Sequence, residues 1–450
     1  MEVLHPILVA DLDLALRPWA NRTITAPAVE RAHASLISWH RTWFCLDGDH
    51  VWLRPSSTCS GRHAIGCGTC SMGAERILSY LHALRTYLHA YPSARHAMCA
   101  VIGCRDGPSV NMPEGGRQRL APPSPVLSYT GSPFSLDVPF PDYGVWRVPG
   151  VRPGWRALSH ELEKAADRFP WESKKAQAVL AFGTRPSRFF IDPRPKHQEQ
   201  PLRHALYHGR CDRHPSGQIA VFHGPDDPGR WLNKTDFCRY RVILMTYANA
   251  FWSDHMRDAL LCGSLVIYVT DVAPMIQMRT HVAPKADQHA FDVLSRHLEP
   301  GVHYMLVSAN STADDANLDA RRSLCERVAT AVAWALEHDE EARSMAQRGR
   351  RLVRDLYRWP QILAYVHGLF TRMSTMQGSS VVRRVASHLG GVSVALKETS
   401  DSCLRVLSTG LTGANTSQRL AQLNECGIFV ALASPPPPSR RFWDWLAAGG

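Results

Sequence analysis

The chain has 450 residues, of which 45% are hydrophobic, so it is long and apolar enough for two domains with packed cores. Its net charge of +11 and pI near 9.2 favour an anionic partner: a nucleotide-sugar, a nucleic acid or an acidic membrane surface. The basic residues are spread along the chain and form no basic block, which argues against a nucleic-acid-binding protein. No segment has the roughly 18 consecutive apolar residues of a membrane span.

The expected location is the lumen of the endoplasmic reticulum or Golgi. The N-terminus is a poor signal peptide, because it carries acidic residues in its apolar part and lacks a basic n-region. Twelve cysteines and four glycosylation sequons nevertheless favour the secretory pathway over a cytosolic chain with buried free cysteines. The sequons begin at Asn21, Asn233, Asn310 and Asn415. Membrane association would come from an anchor that is not visible in this chain.

The N-terminal half alternates helical and strand patterns. Its predicted elements are a helix from Thr25, a strand over 50–53, a helix from Ser71 to Pro92, and strands over 98–103 and 125–129. The aromatic segment 131–153 either lines a site or packs over a core. Cys67-Gly-Thr-Cys70 has the spacing of half a zinc site, but no second pair of ligands is near it. A disulfide is therefore favoured over a metal.

Asp106 is a candidate catalytic residue. The strand over 98–103 runs directly into Cys104-Arg-Asp-Gly-Pro108. The carboxyl end of a strand is where α/β sheets usually place their chemistry. The alternative is a turn residue that hydrogen-bonds its own backbone.

Two segments of the C-terminal half are candidates for binding phosphate. A strand over 178–182 leads into Gly183-Thr-Arg-Pro-Ser-Arg188, where arginines follow small residues. Residues 241–271 form a β-α-β pattern, and its first loop points free helix amides at any bound anion. That loop lacks a Gly-rich fingerprint, so its pattern alone is weak evidence for phosphate binding. The alternative for 183–188 is an exposed loop with solvated arginines.

The remaining sequence is helical and then low in complexity. Apolar residues at four-residue spacing predict helices from Leu324 to about Met373, with a new helix starting at Pro360. Residues 374–450 are rich in Ser, Gly, Ala and Thr and include a run of prolines. We expect a poorly ordered tail there.

Several of these landmarks resemble glycosyltransferase family 90, which includes Rumi-type protein O-glucosyltransferases, fungal capsule-associated xylosyltransferases and many plant homologues. The similarity covers about residues 15–373. The similar segments are 29–32 (VERA), 104–108 (CRDGP), 125–129 (PVLSY), 171–175 (WESKK) with 183–185 (GTR), 238–241 (CRYR), 261–266 (LCGSLV), 298–304 (LEPGVHY) and 342–352 (ARSMAQRGRRL). Their order and spacing are compatible with the family, and the plant and algal members are the most similar in character.

The resemblance implies an α/β chain of GT-B type, with two Rossmann-like domains facing a central cleft and a C-terminal tail. The expected domains are 1–165, which binds the acceptor, and 166–373, which binds the nucleotide-sugar, followed by the tail 374–450. The last helices of 166–373 can cross back to pack on the N-terminal domain. It also implies an inverting transferase without a metal or other cofactor, using a UDP-sugar as donor substrate.

The resemblance implies that Asp106 matches the catalytic base of the family, which deprotonates the acceptor hydroxyl. Cationic groups and helix amides would stabilise the departing nucleotide diphosphate. The implied donor-binding residues are Thr184, Arg185, Arg188, Phe251, Trp252, Ser253, Asp254, His255 and Arg257. The animal members also imply a Cys238–Cys262 disulfide and a second bridge from Cys70 to Cys67 or Cys59.

The expected reaction moves glucose or xylose from a UDP-sugar to a hydroxyl of a protein or glycan acceptor. The alternative is a degenerate member that binds nucleotide or glycan without turnover. Phe182 stands where the family motif has an arginine, and His255 aligns near an arginine of the animal members. Both departures favour the alternative and leave the donor sugar open.

Overall fold

A computed structural model describes residues 3–35, 41–53, 70–103, 123–129, 136–147, 154–181, 206, 211, 214–222, 232–246, 254–270, 292–308, 318–389, 392–394 and 396–403. The elements in chain order are α1 (Pro6–Leu16), α2 (Ala26–Ser35), β1 (Arg41–Asp47), β2 (His50–Leu53), α3 (Cys70–Ala90), β3 (Ala97–Gly103), β4 (Val126–Ser128), β5 (Asp137–Pro139), α4 (Trp155–Arg168), β6 (Lys175–Ala181), β7 (Ile219–Phe222), β8 (Tyr240–Thr246), α5 (Asp254–Leu261), β9 (Leu265–Thr270), β10 (Met305–Ser308), α6 (Leu318–Glu337), α7 (Asp339–Leu356), α8 (Trp359–Thr375), α9 (Ser379–Leu389) and β11 (Val392–Val394).

The chain forms two units. The first consists of Met1–Trp155 together with Trp359–Gly450, and the second is Arg156–Arg358. The division thus falls ten residues before the expected boundary at 165, and α8 returns to the first unit. It returns because its apolar residues pack there: Phe370 is fully buried and its ring lies 5.9 Å from that of Phe44 in β1. Each unit contains one sheet with helices, which confirms the α/β class.

The sheet of the first unit is mixed, with two parallel and three antiparallel strand pairs. Its order is β11-β2-β1-β3-β4-β5, in which β3, β4 and β5 run parallel and the other pairs are antiparallel. Cys45 lies opposite Cys99 in the β1–β3 register, and the two form a disulfide. Gly48 has a φ of 65° in the β1–β2 turn, a conformation that favours glycine.

Side chains complete the hydrogen bonding of β3 where no strand pairs with it. The β3–β4 pairing covers only 101–103. Beside the earlier part of β3, Gln377 Oε1 accepts from the Cys99 amide at 2.8 Å and Gln377 Nε2 donates to the Cys99 carbonyl at 2.9 Å. The amide of Ala97 donates to Ser374 Oγ at 3.0 Å. The end of α8 and the residues after it therefore stand in for a strand along this edge.

The tail expected from residue 374 does not begin there. Helix α9 buries Val382 and Val385 completely, and β11 pairs antiparallel with β2. The segment is rich in small and polar residues, and for this reason a tail was predicted. A helix needs only a few apolar residues on one face to pack on the sheet, so this composition does not exclude a packed helix. Residues 404–450 lie outside the described residues.

A hydrogen-bonded cluster joins α3, the start of β3 and α8. The Tyr87 hydroxyl lies 2.5 Å from His96 Nε2 and 3.0 Å from His367 Nδ1, and the ring of Tyr91 stacks on that of His367 at 4.3 Å. Burial lowers the pKa of both histidines, and His367 lowers that of His96 further. With both imidazoles neutral, one hydroxyl can donate to one ring and accept from the other.

The sheet of the second unit is parallel throughout. Its order is β10-β9-β8-β6-β7, so the chain moves from β6 to β7 on one side and then returns to β8 on the other. This is the doubly wound order in which the connections reverse direction next to the first strand. Every residue of β9 is buried, as expected for a strand covered on both faces. The β-α-β pattern predicted over 241–271 is confirmed as β8, α5 and β9.

Candidate functional site

The candidate site lies at the topological switch point of the second unit. Strands β6 and β8 are parallel neighbours whose connections leave in opposite directions along the sheet. Ligands of such sheets bind outside the carboxyl ends of the strands at this point. The two carboxyl ends are Ala181 and Thr246.

Both predicted donor-binding segments start from this switch point. One follows β6 and contains Thr184, Arg185 and Arg188; the other follows β8 and contains Phe251, Trp252 and Ser253. These six residues lie outside the described residues. The strand order nevertheless brings the origins of the two segments together, although about 60 residues of chain separate them.

Helix α5, which follows the second segment, is present as predicted. Asp254 is its first residue, with a side chain outside the described set, and His255 is half-buried. Arg257 is 3% exposed, and its guanidinium lies 5.1 Å from the centre of the Tyr357 ring. A donor contact by Arg257 would therefore involve a side chain that already packs inside the unit.

Thr246 is a polar residue at the switch point that sequence reasoning missed. It is fully buried, and its Oγ1 has no hydrogen-bond partner within the part of the chain that the structure describes. A buried hydroxyl without a partner is costly, and such groups in native structures usually have a reason. The signal in the sequence is a threonine that directly follows the apolar run 242–245.

The disulfide predicted between Cys238 and Cys262 is confirmed, and it lies at the opposite edge of the same sheet. The two cysteines precede β8 and β9, at the amino ends of the strands. Lys174 Nζ is buried and donates to the Cys238 carbonyl at 2.5 Å and the Cys262 carbonyl at 3.1 Å. Burial, with a contribution from Arg350, lowers the pKa of Lys174 to about 7. The disulfide and Lys174 therefore stabilise the fold at the edge of the sheet opposite the switch point.

The other predicted bridge cannot be compared with the structure. Cys67 and Cys59 lie outside the described residues, and Cys70 is the first residue of α3 with a side chain that is also outside them. A disulfide that the sequence did not predict joins Cys211 to Cys325 in the second unit.

In the first unit, the carboxyl ends of β3, β4 and β5 share one edge. Asp106, the predicted base, follows the end of β3 by three residues and lies outside the described residues. On the neighbouring strand, buried Ser128 donates from Oγ to Asp137 Oδ1 at 2.5 Å. The topology thus starts the Asp106 segment at the edge where parallel strands end.

Aromatic side chains cover this sheet next to that edge. The ring of Tyr129 stacks on Tyr80 at 4.9 Å and meets Tyr143 edge-on at 5.5 Å. Phe140 and Trp146 are each only 1% exposed. Of the two alternatives for the aromatic segment, its described part, 136–147, therefore packs over the core.

Across the described ranges, no three side chains of His, Cys, Asp or Glu are grouped so that they could hold a metal ion.

The profile of glycosyl transferase family 90 matches residues 71–192 and 226–395, which is more than half of the chain. The chain is also similar to an O-glucosyltransferase rumi homolog from Aedes aegypti, with 25% identity over 298 residues that cover 63% of this chain and 62% of the relative. It is 22% identical to protein O-glucosyltransferase 1 from Homo sapiens over 296 residues, which cover 63% of this chain and 64% of the relative. The chain thus spans less than two thirds of the length of either relative. The profile match includes Asp106 and both strands of the switch point.

Proposed function

Because the chain belongs to glycosyltransferase family 90, we propose that it transfers glucose or xylose from a UDP-sugar to a hydroxyl of a protein or glycan acceptor. The observation that supports this proposal is the parallel sheet of the second unit, because both predicted donor-binding segments follow strands that end at its switch point. The two relatives described above are named O-glucosyltransferases, so glucose is the first donor to test.

The proposed donor site holds the nucleotide diphosphate between the segment after β6 and the start of α5. Arg185 and Arg188 provide guanidinium groups, whose paired donors match phosphate oxygens. The first amides of α5 have no partners inside the helix and favour negative charge. These groups would stabilise the charge that gathers on the leaving diphosphate, so the proposed reaction requires no metal.

The proposed acceptor chemistry is a single displacement at the anomeric carbon with inversion. Asp106 accepts the proton of the acceptor hydroxyl as the new glycosidic bond forms and the bond to the diphosphate breaks. One positioned base is sufficient for this reaction. The GT-B arrangement of two domains belongs to the same proposal and remains a prediction from the family resemblance.

We also propose a location in the lumen of the endoplasmic reticulum or Golgi. Three disulfides join described cysteines, and disulfides persist in oxidising compartments. Asn233 of one sequon is exposed. Within the described ranges, the helices are all too short or too polar to cross a membrane.

Substitution of the base tests the reaction. Asp106→Asn should reduce sugar transfer at least about 100-fold, because general base catalysis contributes about 100- to 10,000-fold, while binding of UDP is unchanged. The exposed Asp49, in the β1–β2 turn of the same unit, provides the control Asp49→Asn, which should keep full activity. Transfer is measured as UDP release from UDP-glucose and UDP-xylose, with the product detected by mass spectrometry. Full activity of Asp106→Asn would rule out the assigned base.

A second candidate function is binding without turnover. Phe182 in place of the motif arginine and His255 in the donor segment favour it, because both remove a cation from the expected diphosphate site. Hydrolysis and transfer assays with the purified chain separate the two functions: a chain that binds UDP-sugar tightly but releases no UDP with any donor is a binding protein.

A further inference from the structure

The second unit contains a cavity of about 690 Å³. Its described lining comes from three segments that are distant in sequence: the turn before β10 with the start of that strand, the last turn of α6, and the first turns of α7. Binding sites for small ligands have volumes of about 300–1,000 Å³. The cavity is therefore of a suitable size for a ligand of two or three rings.

This cavity is separate from the switch point. Strand β10 lies at one end of the described strand order, whereas β6 and β8 lie inside it. Pro300, Gly301 and Met305 line the cavity at the amino end of β10. Because all five strands run parallel, amino ends and carboxyl ends lie at opposite edges of the sheet. The cavity thus stands at the other edge from Ala181 and Thr246.

An aromatic ring with a fixed orientation forms one wall. Trp334 is half-exposed, and its indole stacks on the His338 ring at 4.8 Å with an angle of 14°. One face of the indole is therefore covered by His338, and Trp334 also lines the cavity. A ring that is already immobilised loses little conformational entropy when a ligand packs on it. Met305 and Met345 extend the apolar lining.

The polar lining combines one carboxylate with one guanidinium. Glu341 is exposed and, among the residues that the structure describes, has no ion-pair partner. Arg348 donates from Nε to the Val302 carbonyl at 2.8 Å and from Nη1 to Ser344 Oγ at 2.6 Å. These two bonds orient the guanidinium and leave Nη2 for a ligand. The carboxylate accepts hydrogen bonds, the guanidinium donates them, and their charges cancel.

We propose that this cavity binds a neutral oligosaccharide. The CH face of a sugar ring would pack on Trp334, and its hydroxyl groups would donate to Glu341 and accept from Arg348. Because the lining carries one group of each sign, it offers a charged ligand no net electrostatic attraction, whereas the hydroxyl groups of a neutral sugar can use both groups as hydrogen-bond partners. Such a site would hold a glycan independently of transfer, and it does not depend on the proposed reaction.

Calorimetric titration of the full chain tests this site, with maltose, cellobiose and xylobiose as neutral probes and glucuronic acid and glucosamine as charged probes. At least one disaccharide should bind more tightly than either charged sugar. Trp334→Leu, which keeps apolar volume but removes the ring, should weaken that binding roughly tenfold or more. Glu341→Gln should weaken it roughly tenfold, because the charged acceptor is lost. Glu340→Gln, at the neighbouring exposed position outside the cavity, should have no effect.

Three results would overturn this assignment. They are no binding of any disaccharide at millimolar concentration, equal affinity in wild type and either cavity variant, and tighter binding of a charged probe. Binding that disappears in Asp106→Asn but persists in Glu341→Gln would belong to the reaction site and would also overturn it. Sugar transfer is assayed separately in the same proteins, so failure of the cavity proposal and failure of the transfer proposal are distinguishable.

Discussion

Gly349, in the middle of α7, is expected to reject even a methyl group. A Cβ placed on it would lie 2.7 Å from Leu260 Cδ2 and 2.8 Å from the carbonyl oxygen of His303. A carbon and an oxygen atom normally approach to about 3.3 Å, so either the added Cβ or the His303 carbonyl oxygen must move by about 0.5 Å. The His303 carbonyl cannot move freely, because its turn is closed by hydrogen bonds from the His303 amide to the Glu299 carbonyl and from Gly301 to Tyr304.

Two opposing effects decide whether Gly349→Ala raises or lowers the free energy of unfolding. Alanine is better than glycine inside a helix by about 1 kcal/mol. Overpacking a close contact costs about 1–3 kcal/mol, and here a hydrogen-bonded backbone and a fully buried leucine both resist. We therefore expect a net loss of about 1 kcal/mol, which for a unit of this size lowers its Tm by about 2–4 °C.

Gly368→Ala in α8 is the matched control. Its nearest atoms all belong to side chains, with Leu12 Cδ1 at 3.0 Å and Arg372 Nη1 at 3.3 Å, so these atoms need to shift by only a few tenths of an ångström. This variant should be neutral or more stable by up to about 1 kcal/mol. Urea titration with hydrogen exchange measures both effects, in peptides from 292–308 and 339–356 for Gly349→Ala and in peptides from 6–16 and 359–375 for Gly368→Ala. A gain in stability for Gly349→Ala equal to that of Gly368→Ala would refute the packing argument.

Two further predictions concern stability. Replacing Cys238 and Cys262 together by alanine should lower the free energy of unfolding of the second unit by about 3.5 kcal/mol. The disulfide closes a loop with a sequence separation of 24 residues, and this separation sets the entropy that it removes from the unfolded chain. A loss under about 1 kcal/mol in urea titration would contradict this prediction. Acidification should destabilise the first unit. The pKa values of His96 and His367 are lowered in the folded state. The neutral histidines therefore contribute to the free energy of unfolding above their unfolded pKa of about 6.5, and this contribution is lost as the pH falls through their folded pKa values. The slope is at most about 1.4 kcal/mol per pH unit for each histidine, because each takes up one proton on unfolding. The double His→Gln variant should flatten the dependence of Tm on pH between 7 and 5, whereas replacing the exposed His89 of α3 should not; equal slopes would contradict the assignment.

Local patterns in the sequence predicted most elements of the second unit. The β-α-β pattern predicted over 241–271 corresponds to β8, α5 and β9, which together span 240–270. These predictions succeed because burial of a strand or of one helix face imposes its own period on neighbouring residues. Strands β5 and β7 were missed, since strands of three and four residues carry little periodic signal. The seven-residue β1, in which Arg41, Thr42 and Asp47 flank a short apolar run, was missed as well.

The candidate residues were predictable only through motifs. Asp106, Arg185 and Arg188 follow strands, and this placement together with the family resemblance selected them from many loop residues. Thr246 was not selected, because nothing in its neighbours shows that its hydroxyl is buried without a partner. The cavity beside Trp334 was equally invisible, since its lining comes from three separate segments.

The sequence by itself determined the family, the α/β class and the pairing of Cys238 with Cys262. Tertiary structure alone decided the strand order that sets the switch point, the return of α8, α9 and β11 to the first unit, and the substitution of Gln377 for a missing strand partner of Cys99. The physical reason is the range of the interactions. Periodicity and turns are local and can be read from neighbouring residues, whereas strand order and side-chain replacement of a strand depend on pairing between segments that are distant in the chain.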